Sequence, residues 1–173
     1  MERVCSWCGR HLDDEYPSAL GESVTHGLCS DCRDFLARNT PESVEAFINR
    51  FDVPVLLVDG NARVLNANAA ACSALGAARE AVKGRLAGNV MQCAHARMPG
   101  GCGKTIHCAG CQIRISITHT HRTGEALHGV HAYQDAEGLL PSQGRSLVIS
   151  TEKAGDYVLL RVDAMETTTR PVI

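Results

Sequence analysis

The sequence contains no apolar run that approaches the roughly 20 residues needed for a membrane-spanning helix. Its first residues also lack the apolar stretch of a secretory signal. There is little excess charge, with a formal net charge of −2 at pH 7, and residues 1–40 are locally acidic. Proteins that bind phosphate backbones show the opposite balance. These absences predict a cytoplasmic protein that binds neither nucleic acid nor a membrane.

Cysteine, in contrast, is abundant, with nine residues in a chain of 173. Where thiols are kept reduced, clustered cysteines indicate metal or redox sites rather than structural disulfides. Cys72 stands apart on an alanine-rich segment and is interpreted as a small buried side chain. The other eight form a first set, Cys5, Cys8, Cys29 and Cys32, and a second set, Cys93, Cys102, Cys108 and Cys111.

The first set consists of two C-x-x-C pairs, a pattern typical of a tetrahedral zinc site. We therefore expect a small zinc-binding module over residues 1–39, in which the metal replaces the hydrophobic core that so short a segment lacks. A dithiol redox pair, an iron–sulfur cluster or unrelated thiols are the alternatives. His11 and His26 are interpreted as exposed polar residues, because four thiolates already complete the coordination.

Residues 40–166 predict a larger domain, which begins with a helix. Thr40-Pro41-Glu42 provides an N-cap, a proline at the first helical position and an acid in the first turn. An apolar stripe follows as far as Phe51, and we expect Pro54 to end this helix. Residues 55–58 and 63–65 then predict two strands joined by a tight turn.

The middle of this domain predicts short helices and one ambiguous segment. Asn66 or Asn68 should cap a helix that stops at Gly76, and a second short helix is expected over residues 78–83. Apolar and polar residues alternate over residues 113–117, a pattern that locally favours a strand. Three later β-rich runs predict an antiparallel meander, and residues 167–173 are interpreted as a tail. These runs are residues 126–134, 146–151 and 157–162.

Residues 54–76 resemble the opening of a PAS sensor domain, which has a strand, a turn, a second strand ending in Asn-x-Asn, and a short helix closed by Leu-Gly. The order of later elements fits this resemblance over residues 53–165. The resemblance implies an α+β fold, a five-stranded antiparallel sheet with helices on one face that enclose a pocket. It also implies that residues 112–123 form a connecting helix, and we follow it against the local alternation.

The first cysteine set is similar to a module that is attached to PAS sensor proteins of bacterial signalling systems. Since no histidine-kinase phosphoacceptor box or ATP-binding glycine box is visible, we expect a separate kinase or regulator as the partner in trans, often with formation of a homodimer. The flavin-type sequence Asn-Cys-Arg is absent. His119 and His121 lie on the predicted connecting helix, but residues two apart point to different faces, so they are interpreted as polar residues rather than haem ligands.

The second set lies in a glycine-rich loop, where glycine permits the unusual dihedrals of a backbone that folds around a metal. The spacing leaves four options open: an iron–sulfur cluster, zinc, a reversible disulfide switch, or structural thiols. His95 and His107 flank the set as candidate substitute ligands and are interpreted as unpaired surface histidines.

No nucleophile–base pair or paired carboxylates stand out, so we expect no enzymatic activity. The sequence predicts a stand-alone sensory protein that responds to redox or metal state through the second set. The response would alter the connecting helix and then an exposed sheet face or the helix over residues 41–51. The alternatives are a zinc-stabilised structural adaptor and a small-ligand-binding accessory to transcription regulation.

Overall fold

The computed structural model describes residues 5, 10–12, 28–32, 34, 41–140 and 142–169. Cys8, His26 and most of the predicted N-terminal module lie outside the described residues, as does the end of the predicted tail. The proposed division of the chain at residues 39 and 166 stays a prediction.

Within residues 41–169 the helices are α1 (Pro41–Ile48), α2 (Ala69–Leu75), α3 (Arg79–Val82), α4 (Ala87–Val90) and α5 (Gln112–Thr123). The strands are β1 (Val55–Val58), β2 (Val64–Ala67), β3 (Leu127–Gln134), β4 (Gln143–Ala154) and β5 (Tyr157–Thr169). Two 3-10 turns, Ala94–Arg97 and Ile106–Gly110, lie between α4 and α5.

The five strands form one antiparallel sheet in the order β2-β1-β5-β4-β3, which confirms the predicted sheet. Side chains of the inner strand β1 are buried on both faces. Leu56 and Val58 belong to a core formed with α2 to α5, whereas Val55 and Leu57 belong to a separate core on the opposite face. The sheet is therefore covered on both sides near β1.

The second face is covered by α1 and by residues of the N-terminal cysteine region. The predicted apolar stripe of α1 is confirmed, since Phe47 and Ile48 are fully buried against this face. The buried residues of this second core are Cys5, Leu12, Leu28, Cys29, Cys32, Phe47, Ile48, Val55, Leu57, Ala154 and Leu159. The expectation of an exposed sheet face is therefore wrong for this part of the sheet.

Helix α1 ends earlier than expected. We predicted that Pro54 would end it, but α1 stops at Ile48 and a turn at Asn49 and Arg50 follows. The prediction of a cap at Asn68 is confirmed, since its side chain accepts a hydrogen bond from the backbone N–H of Ala71 at 2.8 Å. Glycine at position 76 ends α2 in the left-handed conformation, at φ 60°.

Residues 112–123 form helix α5, so the expectation drawn from the PAS resemblance is confirmed and the local strand pattern is misleading. Ile113 and Ile117, one helical turn apart, are buried, whereas Ile115 between them is 42% exposed. Burial therefore follows the period of a helix and not the alternation of a strand. The last strand is longer than predicted and continues to Thr169. Among the described residues, no helix is long and apolar enough to cross a membrane.

Candidate metal or redox centre

A cavity of about 200 Å³ lies between strand β3, helix α4, the first turn of α5 and the loop that carries the second cysteine set. The second-set thiols are partly buried and line this cavity: Cys93, Cys102, Cys108 and Cys111. The sequence prediction that these four residues form one set is thus matched by a shared location. Whether they bind a metal stays a prediction.

Short-range backbone contacts place the two ends of this loop. Cys93 follows Gln92, which has a positive φ of 57°, and its N–H donates to the carbonyl of Gly88 at 2.8 Å. Cys93 also forms an isolated antiparallel bridge with Ala136, just beyond β3. At the other end, Cys111 is the N-cap of α5, and its carbonyl accepts the N–H of Ile115 at 2.9 Å.

Backbone and side-chain donors surround the sulfurs. The N–H of Gly103 donates to Cys108 Sγ at 3.0 Å, and the hydroxyl of Thr105 lies 3.2 Å from the same atom. Cys102 has a hydrogen bond with the backbone of Gly88. Cys93 has hydrogen bonds with the backbone of His95 and Ala96. Such donors stabilise the thiolate form and are typical of metal–thiolate sites.

The thiols differ in acidity. Burial raises the pKa of Cys93 above 9.0, and hydrogen bonds to its backbone neighbours only partly offset this effect. Burial likewise raises the pKa of Cys102, with a further contribution from the neighbouring charge of Cys108. For Cys108, burial is outweighed by the hydrogen bonds from Thr105 and Gly103 and by the charge of Arg114, so its pKa is lowered.

We therefore expect Cys108 to react first with iodoacetamide in metal-free, reduced protein. Its lowered pKa leaves a larger thiolate fraction at neutral pH, and its rate should reach half of its maximum below pH 9.0. Cys93 and Cys102 should reach theirs above pH 9.0. Peptide mass spectrometry after timed alkylation at several pH values measures all three. Equal rates throughout the pH range would contradict the expectation.

Arg114, on the first turn of α5, contacts the loop. A Cβ atom added to Gly103 would lie 2.6 Å from Arg114 Cζ, so the guanidinium lies directly against the loop backbone. Gly103 also has a φ of 90°, which favours glycine. Arg114 Nη1 donates to the carbonyl of Asn61 at 3.3 Å, next to the β1–β2 turn. The spacing of Arg114 from the cysteines in the sequence does not predict its contact with the loop.

The interpretation as an unpaired surface histidine is wrong for His95, whereas His107 is exposed as expected but stacks on His95. Their rings stack with centroids 3.8 Å apart and planes 13° apart. His95 Nε2 lies 2.8 Å from Asp135 Oδ2, and the contact is partly buried. Both histidines line the cavity beside the thiols. Asp135 is 40 positions from His95 in the sequence, so no local pattern could have predicted the pair.

His119 and His121 of α5 have polar contacts outside the cavity. His119 pairs with Glu125 at 2.9 Å, and His121 Nε2 lies 3.1 Å from the carbonyl oxygen of Asp156. Neither is among the residues that line the cavity.

Gln134 is a further cavity residue that no sequence pattern predicts. It lines the cavity, is only 5% exposed, and its Oε1 has no hydrogen-bond partner among the described residues.

The first cysteine set is more compact. Cys5, Cys29 and Cys32 are buried, and their sulfurs all lie within 4.8 Å of one another. The N–H of Cys5 donates to the carbonyl of Arg10 at 2.7 Å. Arg10 also pairs with Asp31 at 2.6 Å. His11 is exposed, whereas the fourth predicted ligand, Cys8, lies outside the described residues.

A family model described as the PAS fold matches residues 42–97. No curated protein matches the sequence. Solved structures that are similar include a domain of a sensory box sensor histidine kinase/response regulator from Geobacter sulfurreducens, at 14% identity and a TM-score of 0.48. That match covers 71% of this chain and 92% of the other.

Two further solved structures are similar at comparable levels. The photoactive yellow protein domain of the sensor histidine kinase Ppr from Rhodospirillum centenum is 19% identical, with a TM-score of 0.42 over 69% of this chain and 92% of the other. The PAS domain of the Cronobacter turicensis quorum-sensing receptor RpfR, solved in complex with BDSF, is 11% identical, with a TM-score of 0.46 over 65% and 92%. The family-model match over residues 42–97 and the five-stranded antiparallel sheet with its helices show that the chain has a PAS-like fold.

Proposed function

We propose that this chain is a non-enzymatic sensory protein of the cytoplasm that reports redox or metal state to a signalling partner. The second cysteine set is the sensing site, and a kinase or regulator is the partner, bound in trans. The observation that carries the proposal is the convergence of four thiols on one cavity that adjoins the start of α5.

The coupling from this site to the domain runs through α5. Cys111 caps the helix, so movement of its sulfur or backbone acts on the first turn directly. Further along α5, Thr120 shares a hydrogen bond with Thr151 of β4 at 2.7 Å, and both are buried. Lys153 of β4 donates to the carbonyl of His121 at 2.7 Å. A displaced helix would therefore change its contacts with the sheet.

Two chemical events can displace the loop. Binding or loss of a metal changes the charge and spacing of the thiolates together. In the metal-free state, oxidation by a peroxide joins two thiols. One thiolate attacks the peroxide, the O–O bond breaks, and the second thiol displaces water from the resulting sulfenic acid to form the S–S bond. Two thiols and hydrogen peroxide thus give one disulfide and two waters.

The first set serves a structural role in this proposal. Cys5, Cys29 and Cys32 are close enough to share one tetrahedral zinc ion, and Cys8 would supply the fourth ligand. These cysteines pack in one core with α1 and the sheet, so the metal would hold the N-terminal region on the PAS domain. A purely structural adaptor, with zinc in both sets, is the alternative that this arrangement leaves. A homodimer is compatible with either role.

A second candidate function is the binding of a small ligand in the cavity. It is favoured by Gln134, whose buried Oε1 has no hydrogen-bond partner among the described residues. Buried acceptors are normally satisfied, so a ligand with an N–H or O–H donor would fit. Native mass spectrometry of freshly purified protein would reveal a co-purified molecule. Loss of that molecule in Gln134→Leu, with the second-set thiols unaffected, would favour this function.

The proposed function predicts a response to oxidants or chelators that depends on the second set. In anaerobically purified protein, treatment with peroxide or a chelator should alter hydrogen exchange in α5, because the loop and the helix share Cys111. Cys102→Ser should reduce this change in hydrogen exchange at least about tenfold, because it removes one of the four thiols that respond. Hydrogen-exchange mass spectrometry and measured metal content provide the readouts.

Cys72→Ser is the matched control, because Cys72 is a partly buried cysteine that does not line the cavity. It should respond as the unmodified protein does. If hydrogen exchange in α5 did not change with either peroxide or chelator, the sensing function would be wrong. The structural adaptor would then be the better proposal.

A further inference from the structure

We infer that the second cysteine set binds an iron–sulfur cluster rather than a single zinc ion. This inference rests on the proposed function, whose sensing site it assigns to a cofactor of a definite class. The reasons are the spacing of the sulfurs, the groups that stabilise their thiolate forms, and the cavity that all four thiols line.

The spacing of the sulfurs is too wide for one tetrahedral ion. With Zn–S bonds of about 2.3 Å, four thiolates on one zinc lie about 3.8 Å apart. Among the described residues, only Cys5, Cys29 and Cys32 bring three candidate ligand atoms within 4.8 Å of one another. No three of the second-set sulfurs do so, although all four are described.

The second-set thiols nevertheless belong together. Cys93 is affected electrostatically by both Cys111 and Cys102, and Cys102 by Cys108 and Cys111. Four thiolates bind four different irons in a [4Fe–4S] cluster and two irons in pairs in a [2Fe–2S] cluster, so in either case the four sulfurs spread further apart than they do around a single ion. The first set thus provides an internal comparison, in which the same chain forms one compact and one expanded thiol site.

The surroundings of the sulfurs suit the negative charge of a thiolate-bound cluster. Backbone N–H groups face Cys93, Cys102 and Cys108, and Arg114 adds positive charge next to Cys102 and Cys108. Hydrogen bonds to sulfur and nearby charge are the means by which proteins stabilise these clusters and set their reduction potentials. All four thiols line one cavity of about 200 Å³, which offers space for a cluster.

Gly88 shows how closely the wall of the cavity fits Cys102. A Cβ atom added at Gly88 would lie only 2.6 Å from Cys102 Sγ and 3.1 Å from its Cβ. Gly88 lies in helix α4, where alanine is favoured over glycine. Gly88→Ala should therefore keep the fold but push Cys102 away from its position. Gly110→Ala is the matched control, since a Cβ there would meet nothing within 4 Å.

The experiment reconstitutes anaerobic full-length protein with ferrous iron and sulfide, removes unbound ions, and measures iron, acid-labile sulfide and zinc. We expect iron and sulfide in equal amounts, visible charge-transfer absorption, and zinc in the first set. Gly88→Ala and Cys102→Ser should bind about tenfold less iron. Gly110→Ala and Cys72→Ser should bind as much as the unmodified protein. Circular dichroism of each variant establishes that it is folded.

The outcomes separate this inference from the proposed function. Zinc in both sets, or a metal-free second set that forms a disulfide, would overturn the cluster while the response of α5 to oxidants or chelators persists. Iron that binds equally well in Gly88→Ala and Cys102→Ser would also overturn it, since the iron would then lie elsewhere. No metal and no response of α5 would remove both the cluster and the sensing function.

Discussion

Replacing Asn68 with alanine should lower the free energy of unfolding by about 4 kcal/mol, an exceptionally large loss for one polar side chain. Asn68 is fully buried at the start of α2. Its Oδ1 accepts the backbone N–H of Val55 at 2.9 Å and that of Ala71 at 2.8 Å. Its Nδ2 lies 2.9 to 3.1 Å from three carbonyl oxygens, those of Ile48, Phe51 and Val53.

These bonds join three elements: the end of α1, the start of β1 and the first turn of α2. Alanine would remove the acceptor of the N–H groups of Val55 and Ala71 and a donor to three carbonyls, of which that of Ile48 keeps the N–H of Phe51 at 3.3 Å. Each unsatisfied buried group costs about 1–3 kcal/mol, although the structure relaxes enough to keep the total below the sum. Urea unfolding followed by circular dichroism measures the loss.

Asn66→Ala is the matched control for this prediction. Asn66 is also buried, and it lies two positions earlier on β2, but the hydrogen bond shown for its side chain is a local one, from the N–H of Ala67 at 2.9 Å. Its replacement should cost about 1 kcal/mol. Similar losses for Asn66→Ala and Asn68→Ala would show that the shared network does not provide the stability assigned to it.

Asn68 also illustrates how far the sequence predicts this fold. Its role as a helix cap follows from residue type and position, because Asn before an alanine-rich run is a local signal. Its contacts with α1 depend on residues up to 20 positions away, and no local pattern encodes them. In the same way, residues 112–123 read locally as a strand, and only the family resemblance predicted the helix that tertiary packing stabilises.

The candidate site shows the same difference between local sequence signals and contacts of distant residues. The sequence could predict the membership of the second set, since unusual residues at short spacings are visible in one dimension. It could not predict the stacked pair of His95 and His107, the contact of Asp135 with His95, or the position of Arg114 against Gly103. These contacts arise where the loop folds back on β3 and α5, and they require the three-dimensional path of the chain.

Cys29→Ser is the second substitution with a large expected effect. Cys29 is both a proposed zinc ligand and a buried residue of the core on the second face of the sheet. Cys29 is fully buried, and its sulfur lies within 4.8 Å of those of Cys5 and Cys32. We expect the variant to lose the zinc that we propose for the first set, since a serine hydroxyl is a poor substitute for a thiolate. Elemental analysis measures this directly.

Loss of that zinc should uncover the second face of the sheet. Leu57 and Leu159 would then lose part of their cover, as would Phe47 on α1. Each large apolar side chain contributes about 1.5–3 kcal/mol when fully buried, so the free energy of unfolding should fall by at least about 3 kcal/mol. A fluorescent dye that binds exposed apolar surface should bind more strongly. Cys72→Ser, on a helix of the opposite face, should change stability by less than about 1 kcal/mol and leave zinc unchanged. Retention of zinc by Cys29→Ser, or zinc loss without exposure of apolar surface, would show that the metal does not hold the N-terminal region on the sheet.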